Sequence, residues 1–134
     1  MYNPFWNKTI TLFTPLEINS NLKWYKYTLQ NCFAKCRNSY IDDSNSKISK
    51  NNIIIRLPYN NYETYINWKN LNEYNLKTKY SVSQDSILII DTIKDTIPDN
   101  TSGNSLFDKY NCYKPISIIE NKYICSPHIY IIGD

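Results

Sequence analysis

The chemistry-bearing residues of this chain are few and scattered. His128 is its one histidine. As a general base it would need a nucleophile beside it and a third group to orient the ring, and no G-x-S-x-G or comparable spacing supplies them. Its neighbours describe a partly buried strand histidine beside a turn. Four cysteines offer two ligand-like pairs, Cys32-x-x-x-Cys36 and Cys125-x-x-His128, with Cys112 left over. Zinc knuckles set such pairs across tight turns. Cys32 and Cys36 instead end an aromatic, strand-like run, where an extended chain holds them roughly 13 Å apart, too far to share one ion. Asp42–Asp43 and Asp91 with Asp95 lie among Ser, Asn and Lys, the setting of exposed charges rather than of carboxyls whose pKa values a pocket drives apart. Gly103 and Gly133 are the only glycines, which leaves no phosphate-cradling loop. The expectation is no enzyme, no resident metal and no cofactor.

The elements that position these residues read as strands. Lys8–Thr14 alternates Ile10 and Leu12 with threonines, Pro15 is expected to end it, and Glu17–Asn21 reads as a hairpin connection. Leu22–Ala34 follows as a longer strand whose apolar parity slips near Gln30–Asn31, the mark of a bulge or bend. The stretch 37–52, RNSYIDDSNSKISKNN, is almost wholly polar and reads as a long loop. Ile53–Leu57 is a strand closed by Pro58. Trp68 and Leu71 share a helical spacing and point to one short turn. Tyr80–Ile90 reads as two strand segments hinged at Gln84–Asp85. Ser105 caps a short helix over Leu106–Tyr110, and Ile116–Glu120 and His128–Ile132 close the chain as strands. The pattern predicts a mostly β fold: one domain over 1–134, a small antiparallel β-barrel of about six strands with one or two short helices and long loops.

Composition agrees. The 134 residues hold 42% hydrophobic and 20% charged side chains, a globular balance. Ile and aromatics number 40 against nine Leu and one Ala, which favours a pleated surface over a helix bundle. The abundance of Ile, Asn, Lys and Tyr also reflects AT-rich codons. A net charge of +3 without a dense basic cluster, and with Arg37 and Arg56 as the only arginines, does not point to nucleic-acid recognition. One stretch, Lys23–Trp24–Tyr25–Lys26–Tyr27, has the aromatic and basic interleaving of an OB-like single-strand binder, and that reading stands as an alternative. No apolar stretch approaches the roughly 20 residues of a membrane span, no secretory leader is visible, and the cysteines read as free thiols of a product made in the cytoplasm. The aromatics exceed what six short strands need inward. Tyr2, Phe5 and Trp6, in an N-terminal arm over 1–7, either dock on a neighbour or close one end of the barrel; Trp24, Tyr25 and Tyr27 are further interface candidates.

Several phrases in order carry a resemblance: NPFWNKTITLF, LKWYKYTLQNCFA, INWKNL, KYSVSQDSILIID and ISIIENKY with CSPHIYIIG. Together they resemble the small head-closure (stopper) and head–tail connector proteins of tailed bacteriophages and prophages of low-GC Gram-positive bacteria. Trp68 and Leu71 match that family's Trp–x–x–Leu turn, and Ser126–Pro127–His128 matches the opening of its last strand. Ser81–Asp85 departs from it by lacking a glycine. The resemblance implies a non-enzymatic virion protein of the neck, a β-barrel assembled with copies of itself as a ring, commonly six-fold. The ring sits between the portal or adaptor on the head side and the tail terminator or tail tube on the tail side, and packaged DNA passes through it without sequence-specific binding. Other connector-region subunits, a terminator or an adaptor, are the nearest alternative. Within that frame the segment 37–52, with Ser39, Tyr40, Asp42, Asp43, Lys47 and Lys50, is the candidate lumen or gating loop, and no membrane is involved.

Overall fold

Strand β1 (Lys8–Ile18) turns into β2 (Asn21–Asp43) through Asn19 and Ser20, both at positive φ (50° and 68°). Two such residues are what a two-residue type I′ hairpin requires, and asparagine tolerates the left-handed region better than most side chains. The pairing runs from Ile18↔Asn21 to Lys8↔Cys32. Pro15 therefore does not end the first strand. It pairs with Trp24, beyond the Thr11–Phe13 stretch that meets Ile87–Ile89, where proline is tolerated.

The computed structural model describes residues 6–43, 46–123 and 125–134, with the backbone alone over 37–43 and 46–51. After β2 come β3 (Ser46–Pro58), α1 (Tyr65–Trp68), α2 (Glu73–Thr78), β4 (Ile87–Ile89), α3 (Ser105–Lys109), β5 (Cys112–Tyr113), β6 (Pro115–Asn121) and β7 (His128–Gly133). The strands are antiparallel in the order β5-β4-β1-β2-β3-β7-β6. Only Lys114 separates β5 from β6, so the two ends of that order are consecutive in the chain and the sheet rolls into a nearly closed barrel. Lys114 and Asp134 exchange backbone hydrogen bonds of 3.1 and 3.0 Å beside the junction. The expected small antiparallel barrel is what the chain forms.

The parity slip in β2 is a β-bulge. Two residues, Gln30 and Asn31, oppose Thr9 alone, and Asn31 sits at φ 58°. Before the bulge the inward residues are Tyr25, Tyr27 and Leu29; after it they are Cys32 and Ala34. The bulge also marks the point where β2 exchanges one partner for another, from β1 to β3.

Two apolar clusters flank β1. Its even residues, Ile10, Leu12 and Leu16, join Ile53, Ile55, Leu57, Leu88, Ile129 and Ile131 inside the barrel. Its odd face, through Phe13, joins Ile87 and Ile89 under Ile93, Ile97 and Leu106 of the 91–110 segment. That segment straps the outside of the sheet through main-chain anchors. Thr11 Oγ1 donates to Asp91 O at 2.6 Å, Lys26 Nζ to Ile93 O at 2.7 Å, and Trp24 Nε1 to Thr101 O at 2.8 Å. Asn100 bonds the Leu22 backbone twice, both at 2.8 Å. Gly103, at φ 73°, lets the strap sit close: a Cβ there would meet Ile97 Cδ1 at 2.9 Å.

Several expectations need correction. The polar stretch 37–52 is no loop. Its backbone continues the β2–β3 ladder from Arg37↔Asn52 to Asp43↔Ser46, because cross-strand hydrogen bonds satisfy a polar backbone without any burial. Of Tyr80–Ile90 only Ile87–Ile89 is strand; Tyr80, Ser81 and Val82 are buried in irregular chain, with Thr14 Oγ1 donating to Ser81 O at 2.6 Å. A second helix, α2, follows the expected turn α1. Its signal was Asn72, whose side chain accepts from Asn75 N at 2.9 Å as an N-cap.

Candidate functional site

The surplus aromatic rings go mainly inward. Trp68, fully buried at the end of α1, donates through Nε1 to Tyr27 Oη at 3.0 Å and to Lys79 O at 3.1 Å. Tyr25 meets it edge-on and Tyr65 stacks on it, each at 5.5 Å. Tyr27, Tyr80 and Tyr62 continue the group, with Tyr27 donating to Leu76 O and Tyr80 to Pro58 O. Burial pushes the phenols of Tyr27, Tyr62 and Tyr80 well above their ordinary value. The interface role expected of Tyr25 and Tyr27 is therefore corrected: before the bulge the odd residues of β2 face the barrel interior, and these rings are core. Trp24, on the opposite parity, lies half-buried under the strap.

Tyr2 and Phe5 lie outside the described residues. Trp6 is half-buried, with its ring edge-on to His128 at 5.3 Å, so it covers an end of its own barrel. His128 has both ring nitrogens engaged. A carbonyl only accepts, so Nδ1 carries the proton and donates to Ser126 O at 2.8 Å, leaving Nε2 to accept from Asn121 Nδ2 at 3.2 Å. Among the described residues no three His, Cys, Asp or Glu side chains form a metal-sized group. All four thiols are free, and burial pushes Cys32 up to about 12. A shallow hollow of about 280 Å³, lined by Lys26, Thr28, Asn60, Asn61, Lys77 and Thr78 among others, offers amides and ammonium groups but no nucleophile–base pair.

What remains is a surface. The outward residues of β2, β3, β7 and β6 form two rows by register: Phe33↔Arg56↔Tyr130↔Ile119 and Lys35↔Ile54↔Ile132↔Ser117. Arg56 lies over both rings of its row, 4.8 Å from the Phe33 centroid and 5.4 Å from Tyr130. Ile119 is 48% exposed, and Phe33, Ile54, Tyr130 and Ile132 are half-buried. The outside of the β1–β4 half is covered by the chain's own strap, whereas this half has no such cover among the described residues. Sequence reasoning missed it because the signal was spread over four strands, one or two residues from each.

Beyond this face the β2–β3 ribbon carries the other candidate residues. Ser39, Tyr40, Asp42 and Asp43 lie on β2, Lys47 and Lys50 on β3, with Asp42 opposite Lys47 and Ser39 opposite Lys50. Among the described residues neither edge of the ribbon has a third strand: β1 begins opposite Cys32 and β7 ends opposite Ile53. Seven register pairs at ~3.3 Å each give it a reach of roughly 20 Å.

A nearly closed antiparallel barrel, strapped on one side, uncovered on the other among the described residues and extended by a two-stranded ribbon, is the class of protein these features define. No protein-family model, curated protein or solved structure matches the chain.

Proposed function

We propose that this chain is a non-enzymatic virion subunit of the head–tail junction of a tailed bacteriophage, a head-closure (stopper) protein. It forms a ring with copies of itself around the DNA channel, between portal or adaptor and tail. The observation that carries the reading is the pairing of a rigid barrel with two unsatisfied features, the bare outward sheet face and the projecting ribbon, which suit a part that works by contact with neighbours. The ordered phrases that resemble the stopper family supply the particular assembly. A connector of the adaptor kind fits less well, since such proteins are helical and the helices here have four, six and five residues.

The OB-like reading has no observation in its favour. Of Lys23–Trp24–Tyr25–Lys26–Tyr27, the two tyrosines are core, the tryptophan lies under the strap, and Lys23 pairs with Glu73 at 3.0 Å. Bases would find no ring to stack on there.

The test is reconstitution. DNA-filled heads assembled without this chain are expected to leak DNA or fail to join tails, and added chain is expected to appear by electron microscopy as a ring on the portal and to restore DNA retention. Heads that hold their DNA equally well without the chain, and to which it does not bind, would sink the reading.

A further inference from the structure

Among the described residues the ribbon lacks a third strand and the outward face lacks a cover. We propose that the two are partners in trans: the ribbon of one copy of this chain lies across the outward β2–β3–β7–β6 face of a second copy with its Ile41 and Asp43 side down, bringing Asp43 to Arg56. This rests on the reading that copies of the chain assemble, and it names the contact through which they do so.

The two features cannot meet within one molecule. The ribbon is the direct continuation of β2 and β3, which themselves make half of the face, so folding it back would break the ladder at Phe33↔Arg56 and beyond. A two-stranded ribbon by itself is marginal in water, and a surface to lie on supplies what it lacks. The dimensions agree. Four strands make a face roughly 14 Å across, and the ribbon reaches roughly 20 Å.

The charges agree as well. Asp42 sits opposite Lys47 by register, whereas Asp43 sits opposite Ser46. The face carries Arg56 and Lys35, and among the described residues neither pairs with a carboxylate. Ile41 and Ile48 lie opposite each other and give the otherwise polar ribbon an apolar point to set against Phe33, Tyr130 and Ile119. Ribbon on face is a heterologous contact, which closes into a ring when its rotation allows and otherwise runs on as a filament.

The experiment is sedimentation velocity on the full chain over a concentration series, with four variants: Asp43→Arg, Arg56→Glu, the two together, and a chain in which residues 38–51 are replaced by Asn-Gly. The wild type is expected to associate, each single reversal to weaken association about tenfold or more, and the double reversal to restore it. The shortened chain, which loses Tyr40, is expected to be monomeric and to keep the tryptophan bands of the near-ultraviolet circular dichroism spectrum. Should Arg56→Glu lose that spectrum, Asp43→Arg and the shortened chain, which leave the barrel intact, decide the matter. Single reversals that associate as the wild type does, a shortened chain that still associates, or a wild type that stays monomeric at about 1 mM each overturn the docking. Failure of the head-closure reading shows separately, as heads to which the full chain does not bind.

Discussion

At the residue scale, Trp68 ties α1 to the barrel interior. It fills the interior, carries Tyr25 and Tyr65 against its ring, and divides one N–H between Tyr27 Oη and Lys79 O. Replacing it by alanine leaves a cavity in a packed core, and the expected loss is about 3–5 kcal/mol in urea unfolding. Tyr27→Phe is milder, about 1 kcal/mol, because the indole N–H keeps its second acceptor. Denaturation midpoints that reverse this order would show that α1 does not plug the barrel. Trp68 was legible in the sequence as a helical-turn residue, through its spacing to Leu71. Its partners were not, because Tyr25 and Tyr27 lie more than 40 residues away and parity alone does not say which face of a strand is inward.

At the scale of elements, the bulge decides which side chains of β2 face the core. Asn31 stands at φ 58°, a region where a β-branched residue is strained. Asn31→Val is expected to cost about 1–2 kcal/mol, whereas Asn31→Gly is expected to lie close to wild type, since glycine adopts that conformation freely. Equal stability of the two variants in thermal melts would remove the bulge from the account. The slip at Gln30–Asn31 was legible because it breaks a period of two. The ribbon was not, because 37–52 lacks the apolar alternation by which a half-buried strand is recognised; only a ladder with β2 on one side and β3 on the other makes it strand.

The whole molecule has a pH response with a definite sign. Tyr27, Tyr62 and Tyr80 hold their protons more tightly folded than unfolded, because burial disfavours the phenolate. Cys32 does the same, moving from 9.0 up to about 12. A group whose pKa is raised by folding contributes its full stability below its unfolded value and loses it as pH rises toward the folded one. The barrel is therefore expected to keep its stability up to about pH 9 and to lose it progressively toward pH 12, each such group giving up about 1.4 kcal/mol per pH unit. Tyrosinate absorbance in an alkaline titration should rise in two stages, the exposed phenols first and the buried ones together with unfolding. A single smooth titration of all thirteen tyrosines would contradict their burial.

The amino-acid sequence by itself determined that this chain is a β-barrel: its Ile and aromatic residues recur with a period of two, asparagine marks its turns, and no long amphipathic helical period runs through it. Those are local properties, and the chain writes them locally. Only the tertiary structure decided which rings are core and which half of the sheet stays bare. Phe33, Arg56, Tyr130 and Ile119 share a row because four strands meet in one register, and the strap over 91–110 covers the opposite half because Asn100, Trp24 and Lys26 hold it there. Register and cover are relations between distant segments, which periodicity within any one of them does not contain.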